Sequence, residues 1–230
     1  PGSAYAVSNA LWSKGVRNPS QLKGMKIGIP DIGSTPHYIA GMLADKYDWV
    51  LGKDIQLVPL GSVMAMKAAL YNGSIDWSVF PSNIAHRMQS EKIAHVIGHV
   101  GEETPWQASA IMASKSALQE KQNVLRRFLS AYYETVQYYR QLFMASSAKE
   151  YAADRDQVAE TISRFVLPAV SKKEVLAFPV YLDSHGELDV NSLKKQLEWF
   201  KKQGMVSDRV HISDVIAREY VTFLDDKAGE

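Results

Sequence analysis

The first half of the chain alternates short apolar runs with segments whose apolar residues recur at helical spacing. The short runs are rich in β-branched and aromatic residues, which favours strands that are buried in a sheet. These predicted strands are residues 4–8, 26–30, 55–60, 75–80 and 93–100. The segments between them predict helices over residues 36–47, from a cap at residue 62 to about residue 73, and from residue 81 onward. Strands that alternate with helices in this way predict an α/β unit with a mainly parallel sheet.

The second half of the chain is predicted to be mainly helical. Residues 121–143 form the longest periodic segment, and its apolar positions predict one amphipathic helix. The stripe consists of Val124, Phe128, Tyr132, Val136, Tyr139 and Phe143. Other predicted helices cover residues 147–154, 156–166 and 190–203, and Phe165 is predicted to face inward. Two more are predicted to begin with a capping box at residues 171–174 and at residue 213 or 214. One further strand is predicted over residues 108–113.

The stretch KIGIPDIGSTPHY combines a predicted strand, a turn and the start of a helix. Thr35 is predicted to cap this helix, with Pro36 at the first helical position, where its missing N–H costs nothing. The arrangement directs unpaired backbone N–H groups toward Ser34 and Thr35, where the helix dipole also favours anions and polar groups. The alternative is that both hydroxyl residues only cap the helix. Right-handed crossovers would place residues 31–35 and 80–83 at one edge of the sheet, where open α/β sheets bind ligands.

Composition and charge exclude several classes of function. The 26 basic and 25 acidic residues leave a net charge of +1, and no long run of like charge indicates nucleic acid or an anionic membrane as a partner. The chain contains no cysteine, which removes disulfides, thiolate catalysis and cysteine-ligated metals. No apolar run is long enough to span a membrane. Residues 1–3 resemble a cloning remnant, so the natural start of the protein, including any signal peptide, is expected to lie elsewhere.

The common sequence signatures of catalysis and of metal binding are missing from the chain. It has no G-x-S-x-G elbow, Walker loop, G-x-G-x-x-G turn or H-E-x-x-H pair. His95 and His99 precede Glu102 and Glu103, but no third or fourth ligand follows at a recognisable spacing. We therefore predict neither a cofactor nor a metal site.

Three further residues are candidates for contact with a ligand. His37 lies in the first turn of the predicted helix, where a neutral imidazole can donate a hydrogen bond and the positive helix end disfavours its protonation. Trp77, at the centre of a predicted strand, either packs in the core or forms a wall of a cleft. Trp106 lies in a segment with little regular structure, where an aromatic side chain packs at a hinge or lines a pocket.

Four segments of the chain match a recognisable family pattern. They are QLKGMKIGIP (21–30) with the following Gly33-Ser34 and His37-Tyr38, AALYNGSIDW (68–77) ahead of Pro81, GEETPW (101–106), and QLEW (196–199) with GMV (204–206). Together they resemble the substrate-binding proteins of ABC importers of the nitrate, sulfonate and taurine type. The relatives of those proteins include thiamine-pyrimidine-synthase-like proteins. The resemblance covers most of the chain.

The resemblance implies an α/β fold of the periplasmic-binding-protein type (type II), with two lobes, a parallel-rich sheet and several C-terminal helices. It implies a protein that binds a small polar or anionic solute, such as a sulfonate, nitrate, a carboxylate or a pyrimidine, and delivers it to an ABC transporter permease. The implied location is the periplasm or a lipid-anchored extracytoplasmic site, and no enzyme activity is expected. The ligand-binding residues expected on this sequence are Gly33, Ser34, Thr35, His37, Tyr38, Trp77 and Trp106.

Two departures from the family pattern affect these expectations. Family members carry a substantial N-terminal stretch ahead of the matched segments, including the first strands of the first lobe, and this stretch is missing here. We therefore expect residues 1–20 to be a partial strand and connection from an incomplete first lobe. Residues 21–105 are expected to form the α/β lobe with the ligand site, and residues 106–230 a return segment and a helical C-terminal part that packs on the lobes.

The second departure is the cysteine-rich motif of the pyrimidine synthases, which a chain without cysteine cannot contain. Its absence argues against synthase activity and favours binding. Two alternatives stay open at this point. One is a synthase-like enzyme that uses His37 and a bound cofactor, and the other is a sensory or scaffolding domain that retains the binding fold.

Overall fold

The computed structural model describes residues 2–145, 148–166, 170–183 and 186–220. The protein divides into two compact units. The first unit combines residues 1–106 with residues 198–206, and the second combines residues 107–197 with residues 207–230. A stretch from late in the chain therefore completes the first unit.

The first unit contains a five-stranded sheet in the order β3-β2-β4-β1-β5. Its strands are β1 (Ser3–Ser8), β2 (Met25–Ile29), β3 (Ile55–Pro59), β4 (Trp77–Pro81) and β5 (Ala94–His99). β2 is parallel to both of its neighbours, β3 and β4, whereas β1 is antiparallel to β4 and β5. Four strands therefore run in one direction, and their carboxyl ends share one edge of the sheet. This confirms the predicted α/β class with a mainly parallel sheet.

The helices of the first unit connect these strands. They are α1 (Asn9–Ser13), α2 (Thr35–Lys46), α3 (Val63–Asn72), α4 (Ser82–Ser90) and α5 (Val100–Glu103), with a 3-10 turn at Pro19–Gln21. α3 shows how the local sequence sets the bounds of a helix. The Ser62 hydroxyl accepts a hydrogen bond from the Ala65 N–H at 3.1 Å, and Gly73 ends the helix in the left-handed conformation at a φ of 77°.

The helices cover both faces of the sheet and create two apolar clusters. On one face, Ile39 and Leu43 of α2 pack in a cluster with Trp77. On the other face, Leu70 of α3 packs in a cluster with Phe80. Trp77 and Phe80 belong to the same strand but to different clusters, because an odd number of steps along a strand leads to the opposite face. Burying each of these large side chains contributes roughly 1.5–3 kcal/mol, so the two clusters hold the sheet between its helices.

Helix α10 (Val190–Lys202) carries the chain from the second unit back to the first. Trp199, near its end, is only 7% exposed and lies against α2 at Gly41. A Cβ atom at position 41 would lie 2.4 Å from Cζ2 of Trp199, which is closer than two carbon atoms normally approach. Only glycine at position 41 therefore allows the Trp199 indole to lie this close to the α2 backbone.

The second unit is helical in the part of the chain that the structure describes. Its helices are α6 (Lys115–Glu120), α7 (Gln122–Phe143), α8 (Ala152–Phe165), α9 (Lys172–Ala177), the first part of α10 and α11 (Ile212–Val215), with 3-10 turns at Ala148–Tyr151 and Arg218–Tyr220. The predicted capping box at α9 is present. The Ser171 hydroxyl accepts from the Glu174 N–H at 3.2 Å, and the Glu174 carboxylate accepts from the Ser171 N–H at 2.8 Å. Tyr139 and Leu142 of α7 pack with Ala159 of α8 in the apolar cluster of this unit.

The apolar stripe of α7 is buried only toward its C-terminal end. Val136, Tyr139 and Phe143 are buried, whereas Val124 and Phe128 are 60% and 53% exposed. The periodicity therefore predicts the helix correctly but not which part of its stripe is covered. Periodicity reports which residues share a face, and the neighbours that cover this face come from elsewhere in the chain.

Other expectations for the second unit differ from the structure. Residues 108–113 form no strand, because no strand among the described residues pairs with them. The predictions of separate helices over 147–154 and 156–166 are wrong where the structure describes them, since α8 runs without a break and no glycine or proline interrupts it. Residue 147 lies outside the described residues. Phe165, predicted to face inward, is 80% exposed at the last position of α8.

We expect Gly41→Ala to destabilise the protein, because the added methyl group would overlap the Trp199 indole. Overpacking of this kind costs about 1–3 kcal/mol of unfolding free energy. The measurement is urea-induced unfolding followed by circular dichroism. Gly101→Ala is the matched control, since Gly101 also lies in a helix and has no neighbouring atom within 4 Å of the position that its Cβ would take. Equal stabilities of the two variants would show that the Trp199 contact does not constrain α2.

Candidate functional site

The connections that follow β2 and β4 leave the sheet in opposite directions. β2 continues through α2 to β3 on one side, whereas the adjacent strand β4 continues through α4 to β5 on the other side. α2 and α4 cover opposite faces, because their side chains belong to different apolar clusters. In open α/β sheets, such a reversal leaves a crevice at the carboxyl ends of the two strands, and ligands bind there. The turn between β2 and α2 borders this position.

Two hydrogen bonds hold the turn between β2 and α2. Gly33 adopts a left-handed φ of 89°, a conformation that favours glycine. Its N–H donates to Nδ1 of His37 at 2.9 Å. The Ser34 N–H donates to the carbonyl oxygen of Asp31 at 3.1 Å. Together the two bonds fold the turn back onto the first residues of α2.

The start of α2 leaves polar groups without partners. α2 begins at Thr35, so the predicted cap is wrong by one residue: Ser34 is the N-cap and Pro36 is the second helical residue. The carbonyl oxygen of Ser34 accepts the first intrahelical bond, from the Tyr38 N–H at 3.0 Å. The N–H groups of Thr35 and His37 come too early to have an acceptor within the helix. The Ser34 hydroxyl oxygen is buried and has no hydrogen-bond partner among the described residues, so its capacity for a hydrogen bond is unused in this structure.

His37 lies beneath the turn rather than at its surface. Its side chain is 2% exposed, and its ring meets the Trp199 ring edge-on at a centroid distance of 5.1 Å. Because Nδ1 accepts the Gly33 N–H, the proton of the neutral imidazole is on Nε2. Burial lowers the pKa of His37, which keeps the ring neutral. The structure therefore places His37 as a support for the turn.

Tyr38 joins the turn to an aromatic cluster. Its ring lies 5.2 Å from Trp199, 5.7 Å from Phe200 and 5.6 Å from Trp106, measured between centroids. Tyr38 is 4% exposed, and burial raises the pKa of its phenol. Tyr38 and Trp106 are thus placed together, but as packing partners that fix the start of α2.

Trp77 lies in the core of the sheet, away from the turn. Its side chain has no exposed area, and it belongs to the apolar cluster beneath α2, where its ring lies 6.2 Å from that of Tyr5. Its indole N–H has no partner among the described residues. Of the two interpretations that the sequence left open, this placement is that of a core residue. Trp77 offers no surface to a solute, and we leave it out of the proposed site.

The turn and the first turn of α2 thus bring together Gly33, Ser34, Thr35, His37 and Tyr38, with Trp106 attached through Tyr38. Trp199 and Met205, which the sequence analysis did not select as site residues, also contact this region. A Cβ atom at Gly33 would lie 3.6 Å from the Met205 sulfur. The signal that could have found both was the matched segments QLEW and GMV, which contain them.

The turn itself and the segment around the end of β4 contain no side chain with a permanent positive charge. Residues 27–38 and 77–86 contain neither lysine nor arginine, and Asp31 is exposed next to the turn. Positive potential at the start of α2 therefore comes from its unpaired N–H groups and from the helix dipole. Such a site discriminates between ligands mainly by hydrogen-bond geometry.

The described residues were also compared with the requirements of a metal site and of a membrane-spanning helix. In residues 2–145, 148–166, 170–183 and 186–220, no cluster of three or more histidine, aspartate or glutamate side chains is arranged to hold a metal ion. Within those ranges, no helix is both long enough and apolar enough to cross a membrane.

We expect the burial of His37 to make folding stability fall as the pH decreases below about 6.5. His37 has a lowered pKa in the folded state, so below that pH the unfolded chain binds more protons at this position. The slope is at most about 1.4 kcal/mol of unfolding free energy per pH unit for one group. The measurement is urea unfolding at about pH 7.5 and about pH 5.5, on either side of the ordinary histidine pKa.

His37→Asn is the matched variant, since its Oδ1 can accept the Gly33 N–H but does not titrate. His95 and His99 also have pKa values lowered by burial, so only the difference between wild type and variant isolates His37. We expect the variant to lose less stability at acid pH. An identical pH dependence in the two proteins would contradict the assignment.

Comparison with solved structures identifies proteins of similar fold. The periplasmic aliphatic sulphonate binding protein SsuA from Escherichia coli matches over 97% of this chain and 67% of its own, with a TM-score of 0.63 and 17% identity. The alkanesulfonate-binding protein SsuA from Xanthomonas axonopodis pv. citri, bound to MOPS, matches over 93% and 68%, with a TM-score of 0.65 and 15% identity. A Candida albicans protein with the generic periplasmic binding protein fold matches over 96% and 68%, with a TM-score of 0.62 and 17% identity.

The chain thus spans about two thirds of the length of these proteins and has the fold of periplasmic binding proteins. Comparison with curated protein sequences gives no match. The family model described as NMT1/THI5 like matches residues 6–141, which is more than half of the chain and includes the turn at the start of α2. This match confirms the resemblance found in the sequence. The chain belongs to the NMT1/THI5-like family.

Proposed function

We propose that this protein binds a small polar or anionic solute at the carboxyl ends of β2 and β4 and delivers it to the permease of an ABC importer. The observation that carries the proposal is the set of unpaired donors at the start of α2. The N–H groups of Thr35 and His37 and the hydroxyl of Ser34 lie where the connections of β2 and β4 diverge. An oxygen of the solute would accept hydrogen bonds from these groups.

Each residue of the turn has a distinct part in this proposal. Gly33 supplies the left-handed conformation that turns the chain into α2. Ser34 and Thr35 donate hydrogen bonds to the solute. His37 holds the turn through its bond with the Gly33 N–H, and Tyr38 anchors the start of α2 in the aromatic cluster.

The similar proteins support the class of solute. Two of them are described as sulfonate-binding proteins, and one of these was solved with bound MOPS, which is itself a sulfonate. A sulfonate is therefore the first candidate, followed by nitrate, a carboxylate and a pyrimidine. The sulphonate-binding protein from Escherichia coli is periplasmic, which supports an extracytoplasmic location for this protein.

We favour binding over catalysis at this turn. The groups that it presents are hydrogen-bond donors, and the Ser34 hydroxyl has no base beside it among the described residues. A nucleophilic serine needs a general base within hydrogen-bond reach. The lowered pKa of His37 and its bond to Gly33 serve the geometry of the turn.

The experiment that tests the proposed function is a thermal-shift screen of the protein, with any natural flanking sequence retained. The panel contains alkanesulfonates, nitrate, carboxylates and pyrimidines. A solute that binds only the folded state raises the unfolding temperature, and at 100 times its Kd it stabilises the protein by about 2.7 kcal/mol. We expect a rise with one class. The absence of a shift with every class would count against solute binding.

We expect Ser34→Ala to weaken binding of the solute found in that screen. Loss of one hydrogen bond costs about 1 kcal/mol, which corresponds to a roughly fivefold higher Kd by calorimetry. Folding stability should change little, since the Ser34 hydroxyl makes no capping bond.

Ser90→Ala is the control for that substitution, because the exposed Ser90 hydroxyl bonds only to its own helix, at the Arg87 carbonyl oxygen. Its Kd should equal that of the wild type. Equal affinities of the wild type and both variants would remove Ser34 from the site.

A further inference from the structure

Ser82, His86 and His99 form a polar cluster next to the proposed site. His86 Nδ1 lies 2.8 Å from the carbonyl oxygen of Ser82, and it donates this bond because a carbonyl can only accept. His99 Nδ1 lies 3.5 Å from the Ser82 hydroxyl. The two imidazole rings stack at a centroid distance of 5.5 Å with an interplanar angle of 14°. Ser82 is buried, whereas both histidines are partly exposed and accessible to a solute.

The register of the sheet places this cluster at the same edge as the turn. Phe80 of β4 and His99 of β5 both pair with Ala4 of β1, so His99 lies level with the carboxyl end of β4. Ser82 directly follows β4, and β4 is the neighbour of β2, at a spacing of about 4.8 Å. The cluster therefore borders the crevice between β2 and β4 from the α4 side, opposite the start of α2.

The two imidazoles differ in charge from the other ionisable side chains of the segments at this edge. The segments that follow the parallel strands, residues 30–35, 60–62, 81–83 and 99–104, contain neither lysine nor arginine. The carboxylates in these segments are those of Asp31, Glu102 and Glu103, of which Glu103 is paired with Lys46 of α2. An anionic solute would therefore meet fixed negative charge and the N–H groups of α2. The imidazoles are the side chains of this edge that can become positive near neutral pH.

We propose that His86 and His99 form the charge-compensating half of the solute site and take up a proton when an anionic solute binds. This inference rests on the proposed function and extends it to the class of solute. By linkage, a solute that binds the protonated protein more tightly must raise proton affinity at these rings. Affinity for an anion therefore increases as the pH falls, by at most about tenfold per pH unit for each proton taken up.

The groups around His99 set where this uptake occurs. Burial lowers the pKa of His99, the Glu102 carboxylate of α5 opposes that effect, and His86 of α4 reinforces it. Without solute the ring of His99 is therefore largely neutral at neutral pH. An anion placed against the rings would offset the desolvation and the mutual repulsion of the two imidazoles.

The test measures the Kd of 1-butanesulfonate and of nitrate by calorimetry at about pH 8, 7 and 6, a range that spans the ordinary histidine pKa. Both probes stay ionised throughout, so any change with pH arises in the protein. Titrations in two buffers with different ionisation enthalpies count the protons taken up. Uncharged cytosine is included as a neutral probe. Circular dichroism at each pH confirms that the protein is folded.

The variants are His86→Gln, His99→Gln and the double variant, with exposed His211→Gln as the matched control. We expect anion affinity to rise at least threefold from about pH 8 to about pH 6 in the wild type and the control. The double variant should show a flat profile and no proton uptake, although it retains His37. An unchanged slope in the double variant would overturn the inference.

The remaining outcomes separate this inference from the proposed function. A flat profile in the wild type, or binding of cytosine without any anion, would leave solute binding intact and remove the role of the histidines. Failure of every probe, charged or uncharged, would count against the proposed function, and the inference would fall with it.

Discussion

The contact between Trp199 and Gly41 is the constraint on which the candidate site depends. It brings residues 198–206 onto α2 and completes the first unit from a distant part of the sequence. The same indole packs against the rings of His37 and Tyr38. The start of α2 is therefore fixed from behind by apolar and aromatic packing, and its polar groups need no partner within the protein to hold their position.

The imidazole of His37 transmits this constraint to the turn. Because it is buried and neutral, its Nδ1 can accept the Gly33 N–H, and this bond closes the turn onto α2. A protonated ring would carry a hydrogen on that nitrogen and would oppose the Gly33 donor. The turn is thus kept in shape by a group that does not itself face the solute. The hydroxyl oxygen of Ser34 makes no hydrogen bond to the described residues, so the shape of the turn does not depend on it.

The sequence predicts the elements of the first unit because their signals are local. Apolar runs and capping residues identify all five strands and place the turn at the start of α2. Ser34 and Thr35 could not be ranked as caps, because both have hydroxyl side chains and only the backbone conformation separates them. The roles of Trp77 and the α7 stripe depend on what covers them. The residues that cover Trp77 and the α7 stripe are distant in the sequence, and so is Trp199 from His37. No local sequence pattern therefore predicts these contacts.

The two sides of the proposed site would contribute different interactions to solute binding. The start of α2 offers donors whose positions are fixed by packing, and the dipole of one helix end contributes only about 0.3–1 kcal/mol toward an anion. This side would therefore select solutes by hydrogen-bond geometry and attract anions only weakly. The side formed by His86 and His99 offers charge that exists only when a proton is bound. In this proposal a neutral solute would use the first side alone, whereas an anion would use both, because the segments that follow the parallel strands contain carboxylates but neither lysine nor arginine. The charge of the solute would then decide whether His86 and His99 take part in binding.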